Sequence, residues 1–251
     1  MIECLFKEKG VSYTTSIWYG FKSINFEFCG RNAIVVCPEK VIDGNKWLYK
    51  TEYFGAFPEF EIEMLKRGYY LAHFDTKTRW NCPEDNKLRL LFCKFLSENF
   101  GLNEKCVPVG MSCGGMQAVY FAANNPECVA VAYIDAPVMN FLSCPYSLGE
   151  GHDDSQQEFE EATGMNIIDM INYRNHPVDN IPKLLENKVP VALVCGDSDT
   201  VVPYKDNGKF LSDYYKENGG ILFEVIKKGC DHHPHGLEDN TPLIEFIEKY
   251  Y

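Results

Sequence analysis

The sequence predicts an α/β fold: about eight strands in a mostly parallel sheet, with flanking helices. Two rhythms point to it. Near the start, apolar residues alternate as in half-buried strands, whereas beyond residue 30 short runs apolar on both faces take turns with helical patterns. The third observation is supply, because 251 residues with 45% hydrophobic and 14% aromatic content hold enough apolar material for one sizeable core. No internal repeat, low-complexity tract or Pro/Ser-rich linker divides the chain, so residues 1–251 are expected to form a single domain.

In chain order, segments 12–19 and 21–29 read as an antiparallel hairpin with Gly20 at the turn. Apolar strands follow at 33–37, 69–74, 106–109, 129–134, 190–195 and 221–226. Between them Leu88, Leu91, Phe92, Phe95, Leu96 and Phe100 recur at helical spacing, with Gly101 as a C-terminal stop. A helix over about 205–218 turns Phe210, Leu211, Tyr214 and Tyr215 inward, and a last one starts at Thr241 with Pro242 in its first turn. From about 139 to 188 the alternation gives way to polar, irregular chain with Gly149, Gly151 and Gly164. An insertion of that length after a sheet strand predicts a small cap over a site.

Lys plus Arg total 24 against 36 for Asp plus Glu, a net charge of −12. Such a surface repels phosphate backbones and anionic lipid, which argues against nucleic-acid and membrane partners. The apolar runs are far shorter than the roughly 20 residues that span a bilayer. The first residues carry Glu3 and Glu8 and do not read as a secretory leader. Eleven cysteines, an odd number without a CxxC pair, argue for reduced thiols in a cytoplasm and against a disulfide framework or structural zinc.

The strongest chemical signal is Gly110, Met111, Ser112, Cys113, Gly114, a GxSxG between an apolar strand and an amphipathic helix. A nucleophilic serine there sits on a strained turn, and side chains two positions before or after it would collide with the neighbouring strand or helix. The helix dipole points at the site, and the Cys113 amide is placed to donate to an oxyanion. A base is expected in DHHPHG, with His232 favoured and His233 and His235 as alternatives. A metal cluster of these three is the rival reading. It is set aside because histidines so close on one loop rarely converge on an ion without a carboxylate or thiol from elsewhere. The orienting acid is expected after strand 191–195, as Asp199 or, second, Asp197. His73, His152 and His176 read as surface or satisfied core.

Ser112, Asp199 and His232 fall in the chain order of the α/β-hydrolase superfamily, which the whole chain resembles. GNKWLYKTEYFGAFP, YIDAPV, GDSDTVVP and HHPHGLEDNTPLIEFI also resemble a narrower group of bacterial hydrolases, some associated with carbohydrate breakdown. Two residues depart from that group: Cys113 stands where Arg is usual and Asp231 where Gly is usual. The superfamily layout implies a second oxyanion donor after strand 33–37. Pro38 lacks an N–H, which leaves Glu39 or Lys40.

These residues predict a serine carboxylesterase acting on small or carbohydrate-linked esters through an acyl-enzyme, without cofactor or metal. A peptidase of the same fold and a non-catalytic binding protein are the alternatives. Trp47, Tyr49, Tyr53, Phe54 and Phe57 read either as aromatic walls for the substrate, Trp47 first, or as ordinary core.

Overall fold

A computed structural model describes residues 2–251. Among these described residues nine strands form one sheet: β1 (Tyr13–Trp18), β2 (Phe21–Phe28), β3 (Arg31–Val36), β4 (Trp47–Lys50), β5 (Tyr70–Phe74), β6 (Val107–Met111), β7 (Ala132–Asp135), β8 (Val191–Gly196) and β9 (Leu222–Lys227). Their order is β1-β2-β3-β5-β4-β6-β7-β8-β9. The first three strands pair antiparallel, β3 meets β5 antiparallel, and every pairing from β5 to β9 is parallel. The opening hairpin turns at Tyr19 and Gly20, both at positive φ, a two-residue turn that suits the twist of its strands.

Among the described residues nine α-helices accompany them: α1 (Ile2–Glu8), α2 (Glu59–Lys66), α3 (Pro83–Phe100), α4 (Cys113–Asn124), α5 (Gln156–Thr163), α6 (Ile167–Asn172), α7 (Ile181–Glu186), α8 (Gly208–Glu217) and α9 (Thr241–Tyr250). Successive strand residues face opposite sides of the sheet. Tyr49, Ala72, Ile134 and Leu193 pack with α1, α3, α4, α7 and α8, while Leu48, Leu71, Tyr133 and Val194 pack with α2 and α9. A third apolar cluster joins Trp80, Met116, Tyr120, Phe141, Phe159 and Met170, so the chain after β7 settles over the first turns of α4. Ile181 and Leu184 of α7 belong instead to the main core, where that helix serves as a crossover between β7 and β8.

The strand beyond the expected eight is β4, which puts Trp47 in the core rather than at a substrate wall. Trp47 is fully buried, and its indole N–H donates 2.9 Å to the Asn103 carbonyl. The charge of Lys50 obscures this strand in the sequence. It is buried, and its ammonium is neutralised by Glu61 of α2. Helix α3 ends at Gly101 in the left-handed conformation, as its spacing predicts. Two expected core residues face outward: Leu91 is 51% exposed and Phe210 46%. Each lies one position before the inward stripe of its helix, which Phe92 and Leu211 hold.

Candidate active site

Ser112 occupies the turn between β6 and α4 with φ 54 and ψ −122. A non-glycine residue holds this conformation only where its surroundings over-determine it. Its N–H is tied to the Asp135 carbonyl at 2.9 Å, and its own carbonyl takes the Gly115 and Val138 amides at 3.0 and 3.1 Å. A Cβ on Gly110 would come within 2.1 Å of the Gly114 carbonyl oxygen, so only glycine lets the strand and helix close this tightly. Cys113 opens α4, where the first amides have no acceptor within the helix.

The structure brings Ser112, His232 and Asp199 together from loops after β6, β9 and β8. His232 Nε2 lies 3.2 Å from Ser112 Oγ, and His232 Nδ1 donates to Asp199 Oδ2 at 2.7 Å. The second Asp199 oxygen accepts the Val201 and Val202 amides at 2.9 and 2.7 Å, which fixes the carboxylate in place. Asp197 does not reach this group. It is exposed, and it accepts the Gly229 amide at 2.7 Å and the Ser198 hydroxyl at 2.8 Å.

Sequence reasoning left Asp231 without a function. Its carboxylate accepts the Thr200 amide at 2.8 Å, the Thr200 hydroxyl at 3.0 Å and the His232 amide at 2.8 Å, joining the histidine loop to the acid loop. These donors hold its carboxyl below the usual aspartate range, the Thr200 amide contributing most. The loops touch closely: a Cβ on Gly196 would lie 2.2 Å from the Cys230 carbonyl oxygen.

Lys40 is far from this rim, which corrects the expected second oxyanion donor. Because β3 runs antiparallel to β5, the loop after β3 leaves the sheet at the edge opposite Ser112. Val36 pairs with Leu71 near the start of β5, and the Lys40 carbonyl packs beside Gly68 just before it. The strand that delivers its following loop to the elbow is β4. There the Thr51 hydroxyl donates to the Gly114 carbonyl at 2.7 Å, and Tyr53 and Phe57, both at positive φ, line the cavity beside Ser112.

The three histidines of DHHPHG do gather, contrary to the sequence expectation. One ring nitrogen from each lies within 4.8 Å of the others. The cause is Asp135 at the end of β7, invisible as a partner in the sequence because it is 100 residues away. It accepts from His235 Nδ1 at 2.6 Å and from the Gly236 amide at 2.8 Å. The pair is buried, and the Tyr133 hydroxyl stands 3.5 Å from the carboxylate.

The cavity over Ser112 has a volume of about 330 Å³. Tyr53, Phe57 and Trp80 supply aromatic wall, and Cys144, Asp153 and Ser155 of the segment after β7 form the other side. Arg79 ties this segment down through a forked ion pair with Glu158 of α5. Burial pushes the Cys113 thiol up to about 12 and so keeps it protonated. Burial also lowers the His233 pKa, with His235 and His232 adding to the effect.

This fold and this constellation at its rim define an α/β-hydrolase. Residues 90–249 match the prolyl oligopeptidase family, peptidase family S9, and the chain belongs to that family. No curated protein gives a significant match. Among solved structures, Porphyromonas gingivalis dipeptidyl peptidase 4 aligns with a TM-score of 0.66 at 11% identity, over 96% of this chain and 35% of that one. A puromycin hydrolase aligns at 0.66 and 14% identity, over 95% and 38% of the two chains. Pyrococcus horikoshii acylaminoacyl peptidase aligns at 0.65 and 17%, over 92% and 39%. These likenesses are of fold, and the chain spans little more than a third of each of these proteins. Among the described residues no helix is long and apolar enough to cross a membrane, and all eleven thiols are free.

Proposed function

We propose that the chain is a serine hydrolase that cleaves an acyl bond through a covalent acyl-enzyme, with Ser112 as nucleophile, His232 as general base and acid, and Asp199 as orienting carboxylate. The observation that carries this reading is the unbroken line of hydrogen bonds from Asp199 through His232 to Ser112 Oγ. The Nδ1–H of His232 is engaged by Asp199, so the lone pair of Nε2 is the one that faces the serine. His232 takes the hydroxyl proton as Ser112 Oγ attacks the carbonyl carbon. The tetrahedral oxyanion is met by the Cys113 amide and a second donor from the loop after β4, where Tyr53 stands at the cavity wall. His232 then returns the proton to the leaving group, and water repeats the sequence in reverse to free the acid. No step calls for a metal or cofactor.

Family membership favours an amide or peptide bond as the natural substrate, which reverses the order expected from sequence. The ester reading is the second one. Its support is the small cavity with its aromatic walls, sized for a compact acyl or sugar group. In either case a small molecule or short peptide enters beneath the segment after β7, which acts as the cap. The free thiols support a reducing compartment such as the cytoplasm.

A fluorophosphonate probe tests the core of the proposal. Labelling confined to Ser112, and abolished in Ser112→Ala, is expected; folded protein that takes no label would sink the serine assignment. Rates on acyl-peptide anilides against p-nitrophenyl esters then decide between amide and ester.

A further inference from the structure

We propose that His232, His233 and His235 form a binding site for Zn²⁺, and that its occupation switches the active site off. The ring centres make a triangle with three sides of 4.9 Å. Three imidazoles around a tetrahedral ion at about 2.0–2.1 Å place their ring centres about 5 Å apart. The ring centres therefore stand near the separation such an ion needs. Rotations that draw the nitrogens from within 4.8 Å to about 3.4 Å of one another complete the geometry.

A second observation points the same way. Two of the three imidazoles are backed by buried carboxylates, His232 by Asp199 at 2.7 Å and His235 by Asp135 at 2.6 Å, both through Nδ1. A carboxylate behind a histidine fixes the ring and its tautomer and strengthens the opposite nitrogen as a ligand, the arrangement found behind zinc-bound histidines. Acyl transfer requires one such pair. The His235–Asp135 pair has no part in that chemistry, yet its side chains are only 2% exposed and His235 lines the same cavity. His233 is exposed, which gives the ion a way in from solvent. Nitrogen-only ligation suits zinc and other late transition metals rather than Mg²⁺ or Ca²⁺.

The switch follows from one lone pair. His232 Nε2 either accepts the Ser112 proton or donates to the ion, so a bound ion leaves Ser112 as the neutral hydroxyl. This consequence rests on the proposed serine mechanism; the binding site does not.

Chelator-treated protein is titrated with Zn²⁺ by calorimetry and with Co²⁺ by visible absorption, neither of which needs activity. One equivalent is expected, with the absorption of a tetrahedral nitrogen site. His233→Ala, at an exposed position that spares the fold, is expected to weaken binding about tenfold or more, and Asp135→Asn by about ten- to a hundredfold. No stoichiometric binding, or unchanged binding in His233→Ala, overturns the site. Fluorophosphonate labelling of Ser112 is run alongside: one equivalent of Zn²⁺ should block it and chelator restore it. Binding with unaffected labelling overturns the switch. Absence of labelling in metal-free protein that still takes up one equivalent counts against the serine mechanism and for the metal site.

Discussion

Asp231 and Thr200 clasp the two loops that carry His232 and Asp199: the Thr200 amide and hydroxyl both donate to Asp231 Oδ1, at 2.8 and 3.0 Å. The same oxygen accepts the His232 amide. One exposed carboxylate thus sets the distance between the proposed base and its orienting acid.

Removing that clasp should slow chemistry more than binding. Asp231→Ala is expected to lower kcat by about ten- to a hundredfold with little change in KM, because small misplacements of a catalytic group cost that much. Steady-state kinetics check this, and an unchanged kcat would show that the loops hold their register without Asp231.

Gly196→Ala tests the close approach of the same loops. The added methyl meets the Cys230 carbonyl oxygen at 2.2 Å, and a backbone atom cannot yield as a flexible side chain does. A loss of about 1–3 kcal/mol in stability is expected, together with reduced activity. Urea denaturation and initial rates measure the two effects separately.

Stability should decline in acid through His73 and His176. Burial holds both below the usual 6.5. His73 donates from Nδ1 to the Lys50 carbonyl at 2.8 Å, and His176 Nδ1 accepts the Phe141 amide at 3.2 Å, a bond that protonation would break. Below pH 6.5 the unfolded chain binds protons that the folded chain refuses, so unfolding becomes easier as pH falls toward the folded pKa values. Above pH 6.5 these groups contribute no slope. Denaturation midpoints across this range should show the decline, and His73→Asn should flatten it.

The thiol beside the nucleophile should be inert. With its pKa pushed up to about 12 by burial, Cys113 carries almost no thiolate near neutrality. Iodoacetamide is expected to modify exposed Cys4 and Cys29 well before Cys113, as peptide mass mapping over time would reveal. Early loss of activity traced to Cys113 would contradict this.

Much of the architecture is legible in the sequence because its signals are local. The GxSxG turn, the Gly101 stop and the apolar strands each announce themselves within a few residues, and Ser112, Asp199 and His232 follow from them. Strand direction is not a local signal. The superfamily layout puts the second oxyanion donor after 33–37, at Glu39 or Lys40, whereas the antiparallel pairing of β3 places that loop beside Gly68. Nor does a short strand with a charge at its end look like a strand: β4 hides because Lys50 finds Glu61 only in three dimensions. The His235–Asp135 pair is invisible for the same reason.

The proposed base hangs from an edge of the sheet. β9 is bonded to β8 alone, and from its last position the Lys227 ammonium grips the Pro234 carbonyl at 2.6 Å. Margins of a sheet unzip before its middle. Gentle heating would therefore peel away the imidazole while the elbow, lodged between interior strands, stays intact. Enzymatic inactivation should run ahead of bulk melting and reverse on cooling.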